Sequence, residues 1–203
     1  MVADLRALWA RLKPRLALLL LILTVMWVLE AVDTLVLGQR LNALGIMPRD
    51  TDALPGILWA PLLHAGFAHL LANSVPFALL GGILLARSVR EFLIVTVLGM
   101  LLGGLGVWLI GAPNSIHFGA SGLVFAYFGY LLFRGIFERS LPSIFIATVV
   151  AAGYGSMLLG VLPGQRGISW EGHLFGFLAG VLAARLLSPR PPAARFLQPL
   201  DRS

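Results

Sequence analysis

Six apolar segments, each near the ~20 residues needed to cross the hydrocarbon core of a bilayer, dominate this chain of 203 residues. They run at about 16–37, 68–86, 92–110, 118–133, 142–162 and 170–187. The fourth is the shortest and is flanked by glycine. Only 12% of the residues are charged and 59% are hydrophobic, whereas soluble domains carry about a quarter charged residues. The apolar residues form continuous runs rather than amphipathic stripes. The expected fold class is therefore all-α, a polytopic membrane protein with six spans in one bundle. The chain has no cysteine, which excludes disulfides, thiolate catalysis and cysteine-bound metal centres.

The net charge of +6 could suggest a nucleic-acid partner, but the placement of the basic residues argues otherwise. Arg6, Arg11, Lys13 and Arg15 precede the first segment, and Arg87 and Arg90 lie between the second and third. Arg134 and Arg139 lie between the fourth and fifth, and Arg185, Arg190, Arg195 and Arg202 follow the sixth. Twelve of the fifteen thus share one side, leaving Arg40, Arg49 and Arg166 on the other. By the positive-inside rule both termini are cytoplasmic. The charge is a topology signal, and no nucleic acid is expected as a partner.

The first segment has a basic start, but no small-residue cleavage site follows it before Glu30 and Asp33, so an uncleaved span is expected rather than a signal peptide. The organisation expected is a cytoplasmic N-terminal segment at 1–15, a six-helix membrane domain at 16–187 and a disordered cytoplasmic tail at 188–203, rich in proline. The first outer loop, 38–67, is too apolar for a solvated linker. Short helices half-embedded in the outer interface are expected there.

Polar groups inside a span are costly and default to a functional reading. Those present are Glu30, Asp33, His69, Asn73, His117, Ser121, Glu171 and His173. With both termini inside, the second, fourth and sixth segments all run inward from the outer face. His69 and Asn73, Ser121, and His173 each fall in the first turns of one of them. Three separate stretches therefore bring compatible chemistry to one shallow layer.

Ser121 sits in His117-Phe118-Gly119-Ala120-Ser121-Gly122, where a loop meets a helix start whose free N–H groups suit an oxyanion. Gly-x-Ser-Gly is easily met by chance among 23 glycines and ten serines, and its bland reading is a small-residue packing site. His173 begins a helix on which positions 176 and 180 share its face, and both are glycine. That face allows the close helix approach a Ser–His pair requires, although packing alone would also explain it. His64-x4-His69-x3-Asn73 is far rarer, with four histidines and three asparagines in the chain. His69 and Asn73 share a helix face and could donate to an oxyanion. His64 is better read as a loop-anchoring hydrogen bond. No carboxylate is placed as a third triad member, so a dyad is expected. His117, one turn before Ser121, is a rival base.

These residues resemble the rhomboid intramembrane serine proteases. The likeness lies in His64, His69 and Asn73 of the second segment, Gly119 to Gly122 at the fourth, and His173, Gly176 and Gly180 in the sixth. It extends over about 16–187 and implies a six-helix core. It further implies Ser121 as nucleophile, His173 as general base, and an oxyanion hole from His69, Asn73 and the Ser121 N–H, with Gly119 in the preceding turn. Family members often carry a tyrosine four residues after the serine, stacked on the catalytic histidine; here it is Phe125. Their Trp-Arg pair in the first loop is also altered, Trp59 being followed by Ala60. The implied partners are transmembrane protein substrates, entering laterally beside the fifth span, and membrane lipids. No cofactor and no metal are implied. The expected localisation is a bacterial plasma membrane, cleavage occurs near its outer face, and nothing in the sequence indicates an oligomeric state.

Other classes fit less well. The His-Glu-x-x-His of metalloproteases and the paired intramembrane aspartates of aspartyl enzymes are absent. A transporter would place its polar groups nearer the midplane. A non-catalytic relative would lack Ser121 or His173, and both are present.

Overall fold

A computed structural model describes residues 2–165 and 167–188. Its helices are α1 (Val2–Val32), a short α2 (Gly56–Trp59), α3 (Phe67–Arg87), α4 (Val89–Ile110), α5 (Ser121–Glu138), α6 (Leu141–Tyr154) and α7 (Trp170–Leu187). The expectations for Arg166 and for the tail beyond Ser188 lie outside the described residues.

Local chemistry sets the helix ends. Ser88 caps α4 by accepting the Glu91 N–H at 3.2 Å, and Ser140 caps α6 by accepting that of Ser143 at 3.4 Å. Such side-chain acceptors satisfy N–H groups the helix cannot. Gly38, with φ 63°, ends the π-helical turn Asp33–Leu37 that extends α1, a left-handed position that suits glycine. No break separates 1–15 from the first span: α1 is continuous through Pro14, and Arg15 donates to the Ala86 carbonyl at the end of α3 (2.6 Å).

Among the described residues, four helical stretches are long and apolar enough to cross a membrane: Arg6–Leu37, Phe67–Arg87, Val89–Ile110 and Leu141–Val161. The last joins α6 to the 3₁₀ segment Gly155–Val161. The other two expected spans, α5 and α7, are 18 residues each and carry Arg134, Glu138, Glu171 and Arg185. α5 is the inner helix, whereas α7 packs along it and keeps Leu178, Leu182 and Leu186 exposed. Eleven residues of α5 are buried, Leu123 to Leu131 without interruption. A helix buried on all sides needs no lipid-facing stripe.

Backbone contact between α5 and α7 forms the centre of the bundle. A Cβ built on Gly180 would lie 2.0 Å from the Ala126 carbonyl oxygen, and one on Gly176 would lie 2.2 Å from that of Gly122. The glycine face read from the sequence is thus a helix–helix seam with no room for a methyl group. From the other side, a Cβ on Gly129 would lie 2.4 Å from the Phe177 carbonyl.

At the far end of α5 the structure corrects one reading. Arg134 is not in a loop; it lies within α5 and is 5% exposed. Its guanidinium meets Glu91 at 3.3 Å and Glu138 at 2.6 Å. Arg87 pairs with the same two carboxylates, and Tyr130 donates to Glu91 at 2.7 Å. Two positive and two negative charges therefore close on one another, as buried charges must to be tolerated.

The segment 38–67 contains the 3₁₀ turns Leu41–Leu44 and Ala60–Leu62 on either side of α2. It is packed onto the bundle: Ile46, Ile57, Ala60 and Leu63 are buried. Ile46 and His117 exchange both backbone hydrogen bonds at 2.9 Å. Nearby His64 is 1% exposed, and its Nε2 accepts the Ala120 N–H at 3.4 Å. It serves as the loop anchor its sequence position suggested. Burial lowers its pKa from 6.5 to about 4, and the neighbouring His69 adds to that shift.

Two outcomes follow for stability in detergent micelles. Gly180→Ala forces α5 and α7 apart and lowers stability by about 1–3 kcal/mol, whereas Gly153→Ala, whose Cβ meets nothing within 4 Å, is neutral or slightly stabilising. Equal melting temperatures for the two variants would remove the seam from its central role. The second concerns pH. The folded pKa of His64 is depressed, so its contribution is complete above the unfolded value of 6.5 and is lost as pH falls towards about 4. The unfolded chain takes up a proton there that the folded one refuses, a loss of about 3 kcal/mol at most. Thermal unfolding across that window should show the slope, and His64→Gln, which takes up no proton, should make it shallower.

Candidate active site

Ser121 opens α5, and the turn before it is held from three directions. The Gly119 N–H donates to the Ala60 carbonyl at 2.8 Å, and that of Ala120 to His64. Gly119 has φ +117°, and a Cβ there would lie 2.9 Å from His69 Cε1 and 3.0 Å from His69 Nε2. Both the backbone conformation and the lack of space require glycine. The same Cβ would be 3.8 Å from Asn73 Nδ2. His69 and Asn73 therefore lie against the turn that presents Ser121, as their shared helix face suggested.

The donors on α3 are oriented. His69 Nδ1 accepts the Ala65 N–H at 3.3 Å, which assigns the ring proton to Nε2, the nitrogen beside Gly119. Asn73, 5% exposed, donates one amide hydrogen to the His69 carbonyl at 3.0 Å and retains a second. Two side chains bearing N–H groups thus lie close to the start of α5.

His173 lies in the first turn of α7. Its ring stacks on Phe125, with centroids 4.1 Å apart and planes inclined by 13°. Phe125 is one turn after Ser121, so the imidazole covers the α5 face that carries the serine. Nδ1 is 3.0 Å from the Gly160 carbonyl. A carbonyl only accepts, so Nδ1 carries the proton and Nε2 keeps its lone pair. A Cβ on Gly160 would come within 3.0 Å of Phe125 and 3.2 Å of His173 Nδ1. Among the described residues no hydrogen bond joins Ser121 Oγ to His173 Nε2. Such bonds are often long without substrate and tighten when it binds.

Gly160 is the partner that sequence reasoning missed. Its contribution is a main-chain carbonyl, a group every residue has, and it lies thirteen positions from the histidine it orients. A glycine within a 3₁₀ turn was the only sign of it.

His117, Glu30 and Asp33 have partners of their own. His117 has both ring nitrogens occupied, Nδ1 at 2.7 Å from Ser169 Oγ and Nε2 at 2.7 Å from Ser115 Oγ. Burial lowers its pKa below 6.5, opposed by the nearby Glu171. Glu30 accepts from Thr34 at 2.5 Å and Gln39 at 3.2 Å, and Asp33 accepts the Leu41 N–H at 2.9 Å. Both carboxylates hold the reversal after α1. Behind Ser121 is a cavity of about 50 Å³, lined by Ser121, Gly122, His117, Ser169, Gly103 and Ile57 among others. One water needs roughly 10–15 Å³ of such space, so the cavity can hold water beside the hydroxyl. The described residues contain no cluster of histidine and carboxylates able to hold a metal ion.

Residues 53–190 match the Rhomboid domain family. The chain is similar to an uncharacterized protein of Mycobacterium tuberculosis, 43% identical over 188 residues, spanning 89% of this chain and 78% of that protein. An uncharacterized protein of Mycobacterium leprae is 38% identical over 188 residues, spanning 89% of this chain and 74% of the relative. The Bacillus subtilis protein named "Putative rhomboid protease YdcA" is 33% identical over 132 residues, which cover 62% of this chain and 63% of that one. The family match covers well over half the sequence and coincides with the helices that carry Ser121, His69, Asn73 and His173, so the chain belongs to the rhomboid family of intramembrane serine proteases.

Proposed function

We propose that the chain cleaves transmembrane proteins near the outer membrane face with a dyad of Ser121 and His173. The observation that carries this reading is the state of His173, whose ring is stacked on Phe125 and whose Nδ1 is tied to Gly160, leaving Nε2 free. A serine nucleophile needs a base nitrogen of that kind, oriented by a third group. The orienting group here is a carbonyl oxygen, so no carboxylate is required. His117, with both nitrogens bonded to hydroxyls, offers no comparable lone pair.

His173 Nε2 takes the Ser121 proton as Oγ attacks the scissile carbonyl. The negative charge that develops on its oxygen is met by His69 Nε2–H, the second Asn73 amide hydrogen and the Ser121 N–H, with Gly119 keeping the turn close to His69. The imidazolium then protonates the departing amine, leaving an acyl-enzyme on Ser121. Water from the adjoining cavity gives a proton to Nε2 and attacks the acyl carbon, and Ser121 regains its proton as the acid product leaves. No cofactor takes part. His64 maintains the turn, and Phe125, Gly176 and Gly180 hold the base against α5.

In this reading α5 and α7 are spans too, and the count is six. The twelve basic residues on one side put both termini in the cytoplasm, in what we take to be a bacterial plasma membrane. The segment 38–67 is then the half-embedded outer loop. Substrates are membrane helices that unwind easily and carry small residues at the cut. They enter beside α6, the span whose apolar window is only 6% buried and which yields most readily.

Fluorophosphonate labelling alongside cleavage of a reporter transmembrane substrate tests the dyad. Ser121→Ala abolishes both signals, and His173→Ala lowers cleavage at least ~10³-fold. Asn73→Ala folds normally and reduces turnover by about 10- to 10³-fold, as expected on losing one oxyanion donor. Labelling that survives Ser121→Ala would overturn the assignment, and unchanged turnover in Asn73→Ala would remove that residue from the oxyanion hole.

A further inference from the structure

We infer that His117 and Ser169 form a positioning clamp that sets the distance between the Ser121 turn and the first turn of α7, and so between nucleophile and base. The inference rests on the dyad reading above.

His117 is fixed before its side chain is considered. Its backbone N–H and carbonyl both pair with Ile46 at 2.9 Å, four residues ahead of Ser121. From that fixed point the ring reaches Ser169, the residue that caps α7. Ser169 Oγ accepts the Gly172 N–H at 3.4 Å, and the Ser169 carbonyl accepts the His173 N–H at 3.1 Å. Both bonds are internal to the start of α7. The 2.7 Å contact with His117 Nδ1 is the bond from this cap to the loop that leads into α5.

The hydrogens in this chain can run in one direction throughout. Ser115 Oγ lies 2.6 Å from the Ala112 carbonyl and must donate to it. It therefore accepts from His117 Nε2–H, which leaves Nδ1 as an acceptor for the Ser169 hydroxyl hydrogen. Each hydroxyl donates once, and the neutral ring uses both nitrogens. Connected networks of this kind hold geometry more tightly than separate bonds.

The clamp sits just above the last close backbone contact of the α5–α7 seam. A Cβ on Gly176 would lie 2.2 Å from the carbonyl of Gly122, the residue after Ser121, and a Cβ on Gly122 would lie 3.4 Å from the Gly172 carbonyl. Beyond that level, the loop before Ser121 and the cap of α7 are joined by His117–Ser169. His117 does not touch the reacting atoms; it acts through the cap of the helix that bears the base.

The test compares His117→Ala, His117→Asn, Ser169→Ala and the double variant His117→Ala/Ser169→Ala with the unaltered full chain in micelles. Readouts are the fluorophosphonate labelling rate, kcat and KM on the reporter substrate, and the melting temperature. Each single alanine variant is expected to lower the labelling rate and kcat on the order of tenfold with KM unchanged. The double variant should be no slower than the slower single one, because both remove the same bond. His117→Asn, which supplies an amide oxygen able to accept from Ser169, should recover most of the loss. Full-rate kcat in His117→Ala, additive losses in the double variant, or failure of His117→Asn to recover activity while its melting temperature is normal would each overturn the clamp. Ser121→Ala run in parallel separates the two ideas: labelling that persists there defeats the dyad itself, whereas its loss alongside a full-rate His117→Ala defeats only the clamp.

Discussion

Two helices in direct backbone contact hold this molecule together at its centre. Where Gly176 and Gly180 of α7 meet Gly122 and Ala126 of α5, no methyl group fits, and the polar side chains of both helices are brought to one level as a result. In a bilayer, close approach of this kind replaces the hydrophobic drive that assembles soluble cores, since lipid is as apolar as leucine. The meeting of Phe125 and His173 follows from it. Phe125 can stack on His173 because nothing bulkier separates the two helices. Helices α3, α4, α6 and α7 pack around α5, and α7 keeps an apolar outer face of Leu178, Leu182 and Leu186.

Charge is handled by the same economy. Arg87, Glu91, Arg134 and Glu138 come from three helices and cancel one another at the end of the bundle opposite Ser121 and His173. Arg87 also donates to Ser143, near the start of α6, at 2.9 Å. One end of α6 is thereby tied to an ionic cluster, while its continuation, Gly155–Val161, reaches His173 as a 3₁₀ turn. Removing one member of such a cluster leaves a buried charge uncompensated, which is more damaging than never having had the pair.

Much of this was legible in the sequence, for identifiable reasons. Apolar runs gave α3, α4 and α7 to within about three residues, because a span has few alternatives to a helix. The i, i+4 spacing of His69 and Asn73 and the 173/176/180 face translate directly into shared helix surfaces. Less visible was anything that depends on partners distant in sequence. Arg134 reads as a loop residue until Glu91 and Glu138 are seen to neutralise it. His117 reads as a competing base until Ser115 and Ser169 are found on its two nitrogens. Gly160 leaves almost no trace, because its role belongs to its carbonyl. The continuity of α1 through Pro14 also escaped, since proline ordinarily marks a helix boundary.

That carbonyl has a consequence for how the protein can change, both over evolution and during a single turnover. An orienting aspartate can be lost by one substitution, but a main-chain oxygen persists whatever side chain occupies its position. The alignment of His173 therefore depends on where the chain runs, and any side chain at position 160 would press on Phe125 and His173 themselves. Gly160 belongs to the stretch that continues α6, so any excursion of that stretch withdraws the acceptor from Nδ1. Movement there and orientation of the ring are mechanically opposed: Nδ1 has its partner only while the stretch is in place.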